Sequence, residues 1–77
     1  MPHIIVKLFP GRTEVQKKQL TCEIVKAIRT SIGAPDNSIS VSIEEVPKEK
    51  WAEKVYKPDI IDKEYLLHKK PGYEPSL

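Results

Sequence analysis

The sequence predicts an α/β (α+β) chain: a single βαβ unit with parallel strands, followed by a short helical or irregular C-terminal extension. Two stretches with apolar residues at every second position, residues 3 to 8 and 39 to 44, predict the strands. Between them an apolar stripe of helical period runs from a start signal at Thr13 to a stop at Gly33. A strand, a long helix and a second strand make a crossover unit, which is right-handed in nearly all known cases and leaves its strands parallel. Residues 1 to 77 form one domain in this reading, with the βαβ core over 2 to 46 and the extension over 47 to 77.

The first strand places Ile4, Val6 and Leu8 on one face and His3, Ile5 and Lys7 on the other. A strand with apolar residues on both faces is expected to be covered on both. Ahead of it stand Met1 and Pro2. Methionine before a small residue such as proline is normally trimmed during synthesis, so the mature chain is expected to begin with Pro2 and to expose a secondary amine. The plain alternative is that Pro2 opens an edge strand, where its missing N–H costs nothing. Phe9-Pro10-Gly11 then ends the pattern with turn chemistry, and Arg12 follows.

Thr13 and Gln16 have the spacing of a capping box, in which each side chain satisfies the other residue's free amide. In the helix that follows, Leu20, Ile24, Val25, Ala27, Ile28 and Ile32 share one face within roughly 160°, opposite Glu23, Lys26 and Arg29. Cys22 falls at the polar rim. Gly33 supplies the stop, with Pro35 just beyond it. After the turn residues Asp36-Asn37-Ser38, the second strand alternates Ile39, Val41 and Ile43 with Ser40, Ser42 and Glu44.

Beyond Val46, residues 48 to 56 are bounded by Pro47 and Pro58 and predict a short helical turn or two, with Trp51 and Val55 on one side at i, i+4. Residues 59 to 68 carry Ile60, Ile61, Leu66 and Leu67 without a clean period and are expected to be weakly helical or irregular. Residues 71 to 75, Pro-Gly-Tyr-Glu-Pro, read as a turn followed by an extended tail.

A chain of 77 residues has little room for a core, and chains below ~80 residues rarely gain more than ~3 to 5 kcal/mol from one apolar interior. Cys22 is the sole cysteine, so no disulfide within the chain can help; it is expected to be a free reduced thiol. His3 and His68 are too far apart for metal-ligand spacing, and no cofactor is indicated. The remaining supplement is oligomerisation, which would also supply strands for the unpaired edges of a two-stranded sheet. A homodimer with a sheet completed across copies is expected, with a hexamer as the alternative. Thirteen basic and eleven acidic residues give a net charge of +2, too near balance to argue for nucleic acid or a membrane surface. With no apolar run approaching ~20 residues and no signal-peptide core, the expected location is the cytoplasm.

Pro2 behind the initiator, Gly11-Arg12 after the first strand, Glu-Val-Gln-Lys-Lys at 14 to 18, and a serine-bearing strand ending Ile-Glu-Glu-Val at 43 to 46 form a joint pattern. It resembles the 4-oxalocrotonate tautomerase superfamily. Trp-Ala-Glu-Lys-Val-Tyr-Lys-Pro-Asp-Ile at 51 to 60 and Lys-Lys-Pro-Gly-Tyr at 69 to 73 look like its longer-chain branch, the dimeric PptA-type tautomerases. The resemblance implies the tautomerase/MIF fold and an isomerase that interconverts enol and keto forms of a 2-oxo acid. It implies Pro2 as general base, Arg12 as the holder of a substrate carboxylate or enolate, and Trp51 as an apolar wall. Shorter hexameric members carry a second arginine in the second strand, where this chain has Ser40. Ser40 is therefore a candidate substrate-binding residue, and dicarboxylates of the 4-oxalocrotonate kind fit less well. Relatives of this fold also use the amine to activate water for hydration, dehalogenation or decarboxylation of an unsaturated acid. A third reading is a non-catalytic dimeric binding protein whose amine is blocked.

The chemistry asks for these residue types. A group that takes and returns a proton works best with a pKa near the working pH, and a secondary amine is ordinarily too basic. Burial and a nearby cation both disfavour the charged amine and move it toward that range. Trp51 with the surrounding Ile and Val residues can supply the apolar wall. Arg12 can supply the charge while pairing bidentately with a carboxylate. Each residue also has a structural reading: Arg12 solvated, Trp51 in the core or an interface, Ser40 facing solvent or a neighbouring subunit. His3 is expected on the face opposite Pro2 and reads as structural, and Tyr56, Tyr65 and Tyr73 carry no assigned role.

Overall fold

The computed structural model describes residues 1–74. Strand β1 (His3–Leu8), helix α1 (Glu14–Ile32) and strand β2 (Ser40–Glu45) form the predicted βαβ unit. The two strands pair in parallel without a slip, from His3 opposite Ser40 to Leu8 opposite Glu45. The described residues divide into two compact units, Met1–Glu45 and one that begins at Val46.

In the first unit, α1 starts where its cap directs it. Gln16 N–H donates to Thr13 Oγ1 at 3.1 Å, and Thr13 N–H donates to Gln16 Oε1 at 2.9 Å. It stops at Gly33, which adopts φ 71° and donates its N–H to the Arg29 carbonyl at 3.1 Å. That left-handed conformation costs an L side chain ~1 to 2 kcal/mol, so glycine is the natural terminator.

Ile4, Val6 and Leu8 of β1 are half-buried together with Val41 and Ile43 of β2 and Leu20, Ile24, Val25 and Ile28 of α1. The expected helical stripe is thus narrower than drawn: Ala27 and Ile32 are exposed, because they lie at its edge and at the helix end. At the other end, Lys17 reaches Glu14 at 3.0 Å and Glu45 at 3.3 Å, tying the first turn of α1 to the end of β2. Hydrogen bonds that the Lys17 ammonium donates to Glu14 and then to Glu45 hold it above its ordinary range. The opposite sheet face carries His3, Ile5, Ser40, Ser42 and Glu44, all exposed. No described residue of this unit is fully buried.

The second unit opens with a 3₁₀ turn, Lys48–Lys50, and continues as a π-helix, Ala52–Ile61, before a further 3₁₀ turn, Glu64–Leu66. Here the sequence expectation needs correction, since the helix passes through Pro58 instead of ending before it. In an α-helix a proline removes an N–H and meets the carbonyl four residues back. The wider i→i+5 coil changes that spacing, and Asp62 N–H closes it on the Lys57 carbonyl at 2.9 Å. Residues 59 to 68 are accordingly part π-helix, part 3₁₀ turn. Val46 and Val55 are the buried residues of this unit, and Trp51 is half-buried. From Pro75 onward the expected tail lies outside the described residues. Among the described residues, no helix is long and apolar enough to cross a membrane.

Candidate active site

Pro2 sits one residue ahead of β1 and is half-buried. Its carbonyl accepts the Ser40 N–H at 3.2 Å, which extends the sheet ladder by one rung and fixes residue 2 through its C=O. The nitrogen of Pro2 is joined to Met1, whose side is fully open to solvent. Strand alternation puts the Pro2 ring on the half-buried face with Ile4 and Val6.

Ser40 meets Pro2 through its backbone and turns its hydroxyl elsewhere. The Ser40 Oγ lies 2.7 Å from Nδ1 of His3, its register partner, on the exposed face of the sheet. His3 therefore has a specific polar partner, and the pair occupies the face opposite the Pro2 ring.

Arg12 is exposed in the loop between β1 and α1, and its Nη1–H donates to the Phe9 carbonyl at 3.1 Å. That bond uses one of the five N–H donors of a guanidinium. Gly11, with φ 124°, allows the backbone to turn just before it. Pro2 and Arg12 flank opposite ends of β1, which at ~3.3 Å per residue puts ~20 Å of strand between them. One chain does not bring these two side chains together.

Trp51 belongs to the second unit, where it takes part in an aromatic group that the sequence did not reveal. Its indole Nε1–H donates to the Tyr73 hydroxyl at 2.9 Å. The Tyr73 ring lies against Tyr56 with centroids 5.7 Å apart and planes inclined at 45°. The signal available beforehand was the terminal Lys-Lys-Pro-Gly-Tyr, whose tyrosine had no assigned role. Among the described residues, no group of three or more His, Cys, Asp and Glu side chains is arranged to hold a metal ion.

Comparison with known proteins adds to this geometry. The family model described as "Tautomerase enzyme" matches residues 2–55. A probable tautomerase of Xylella fastidiosa is 38% identical over 73 residues, covering 95% of this chain and 89% of that protein. Tautomerase PptA of Pectobacterium carotovorum is also 38% identical, over 74 residues, covering 95% of this chain and 97% of the relative. These likenesses run through the C-terminal extension. Among solved structures, one of the 4-oxalocrotonate tautomerase isozymes from Methylibium petroleiphilum superposes with a TM-score of 0.62 at 38% identity, over 65% of this chain and 81% of that one. TomN, a 4-oxalocrotonate tautomerase homologue of the tomaymycin biosynthetic pathway, gives a TM-score of 0.63 at 32% identity, over 65% of this chain and 77% of its own.

Proposed function

The chain belongs to the tautomerase family, and from that premise we propose that it interconverts enol and keto forms of a 2-oxo acid with Pro2, freed of Met1, as the general base. The observation that carries this reading is the way Pro2 is held. The Ser40 N–H grips its carbonyl, so removal of Met1 leaves the ring in place and turns its nitrogen from an amide into an amine. The neutral amine takes the proton of the enol hydroxyl. As the C–O bond becomes a carbonyl, the electron pair of the C=C bond moves to the neighbouring carbon, which receives a proton from the prolinium. The amine ends the cycle neutral.

Arg12 holds the carboxylate and the developing enolate oxygen, where bidentate pairing gives both charge and orientation. With ~20 Å of strand between Pro2 and Arg12 of one chain, the site takes Pro2 from one copy and Arg12 from another. A homodimer is the simplest assembly that does so, and the open edges of the two-stranded sheet give it a surface on which to form. Trp51 supplies the apolar wall against the substrate side chain. Ser40 serves the site through its backbone grip on Pro2.

The test compares two forms on phenylenolpyruvate: the trimmed chain and a chain extended at its amino terminus so that the Pro2 nitrogen remains an amide. A general base contributes ~10² to 10⁴-fold, and the extended form is expected to lose about that much with its circular dichroism unchanged. Equal rates in both forms would leave Pro2 as the start of a strand and favour the binding-protein reading.

A further inference from the structure

We propose that Tyr73 is a positioning residue: its hydroxyl holds the indole of Trp51 in one orientation and thereby sets the preference of the site for enols with a planar aromatic side chain. The inference rests on the reading of Trp51 as the apolar wall. Indole has one polar atom, a donor, and at Trp51 it is engaged by the Tyr73 oxygen at 2.9 Å, within the ordinary range for a hydrogen bond. Such a bond constrains rotation of the ring about its stem, which apolar contacts alone constrain less.

Tyr73 is itself fixed from the other side. Its ring packs against Tyr56 at 5.7 Å with a 45° inclination, inside the separations favoured by aromatic pairs. The Tyr56 hydroxyl also approaches the Tyr73 carbonyl at 3.5 Å, a long contact that adds little by itself. Tyr73 is otherwise exposed. It is 46% exposed, and with Tyr56, Ile60, Leu67 and Pro71 it lines an open recess of about 400 Å³. A ring bordered by so much space owes its position to its few specific contacts. Trp51 and Tyr73 are 22 residues apart, so a residue late in the chain helps set how a half-buried side chain stands.

Orientation matters unequally to different substrates. A planar aromatic group stacks well only against a wall held at the right inclination, whereas a methyl group meets any apolar surface about equally. Tyr73→Phe keeps the ring and its packing on Tyr56 and removes only the acceptor. A neutral hydrogen bond has a net worth corresponding to about two- to twelve-fold in a rate. The variant is expected to lose that much in kcat/KM on phenylenolpyruvate, and less than about two-fold on an enol with a methyl substituent. Trp51 is the one tryptophan of the chain, so its fluorescence reports the same event without turnover. Emission should shift and quenching by acrylamide should rise in Tyr73→Phe.

Trp51→Phe provides the separation from the underlying reading. If that variant lowers the aromatic-to-methyl rate ratio, Trp51 is the wall, and adding Tyr73→Phe to it should have no further effect on the ratio. With the ratio lowered by Trp51→Phe, unchanged emission and an unchanged ratio in Tyr73→Phe would overturn the role of Tyr73 and leave the wall standing. An unchanged ratio in Trp51→Phe would overturn the wall itself and the specificity argument with it.

Discussion

Two impaired variants mixed together should recover more activity than either has alone. One is a chain extended ahead of Pro2, which lacks the proposed base; the other is Arg12→Ala, which lacks the proposed carboxylate holder. The extension should leave ~1% of activity or less, given the usual worth of a general base. Loss of a charge-assisted pair, ~1.5 to 3 kcal/mol, should leave Arg12→Ala with about one tenth to one hundred-and-fiftieth of the normal kcat/KM. Pro2 and Arg12 flank opposite ends of a six-residue strand, and under the proposed function each site draws them from different copies. When the two variants are unfolded together and refolded at equal amounts, a site works if its Pro2 comes from the arginine variant and its Arg12 from the extended one. Random assembly satisfies both conditions in about a quarter of sites, whatever the size of the closed oligomer. The assay is ketonisation of phenylenolpyruvate by the refolded mixture, against each variant refolded alone. Activity equal to the mean of the two parents would refute the reasoning, because every site would then hold a base and an arginine from the same chain.

Sedimentation at micromolar concentration should show a homodimer, since no described residue of the βαβ unit is fully buried in a single copy; a well-folded monomer would contradict this. Gly33→Ala should destabilise the protein by about 1 to 2 kcal/mol in denaturant titrations, because alanine must adopt the φ of 71° that ends α1. Lys17 sits above its ordinary range through its hydrogen bonds to Glu14 and then Glu45. With the folded value the higher one, its contribution is complete below the unfolded lysine value of ~10.4 and is lost as pH rises through the folded one. Thermal melts of Lys17→Gln should therefore show a smaller alkaline decline than those of the parent, and added salt should narrow the gap. Identical alkaline profiles would show that this cluster contributes nothing.

Much of the first unit was legible because its signals are local. The alternation of Ile4, Val6 and Leu8, the reciprocal pair Thr13 and Gln16, and the single glycine at position 33 each act within a few residues of where they stand. The passage of the helix through Pro58 was not legible, since proline reads as a stop unless the coil widens around it, and widening has no compositional mark. The separation of Pro2 from Arg12 could have been counted from the length of the strand between them. The resemblance implies both in one site, and the strand length implies that they come from different copies. The contact of the Ser40 hydroxyl with His3 was not legible either, since it depends on register, and register is fixed only once the crossover has brought the two strands side by side. Tyr73 was opaque for a related reason, since its partner lies 22 residues earlier and nothing in the spacing marks the pair.

Under the proposed function, the grip of the Ser40 N–H on the Pro2 carbonyl separates folding from activation. The rung is made by the carbonyl side of residue 2, and the bond that removal of Met1 would cut is on the nitrogen side. Cleavage therefore changes the protonation chemistry of one atom without asking the sheet to rearrange. On that proposal a chain reaches its native fold while still dormant, and the onset of catalysis follows the pace of a peptidase acting on the exposed Met1. Newly made and mature molecules would share one shape and one melting behaviour, differing by a single residue in mass and by the whole of their reactivity.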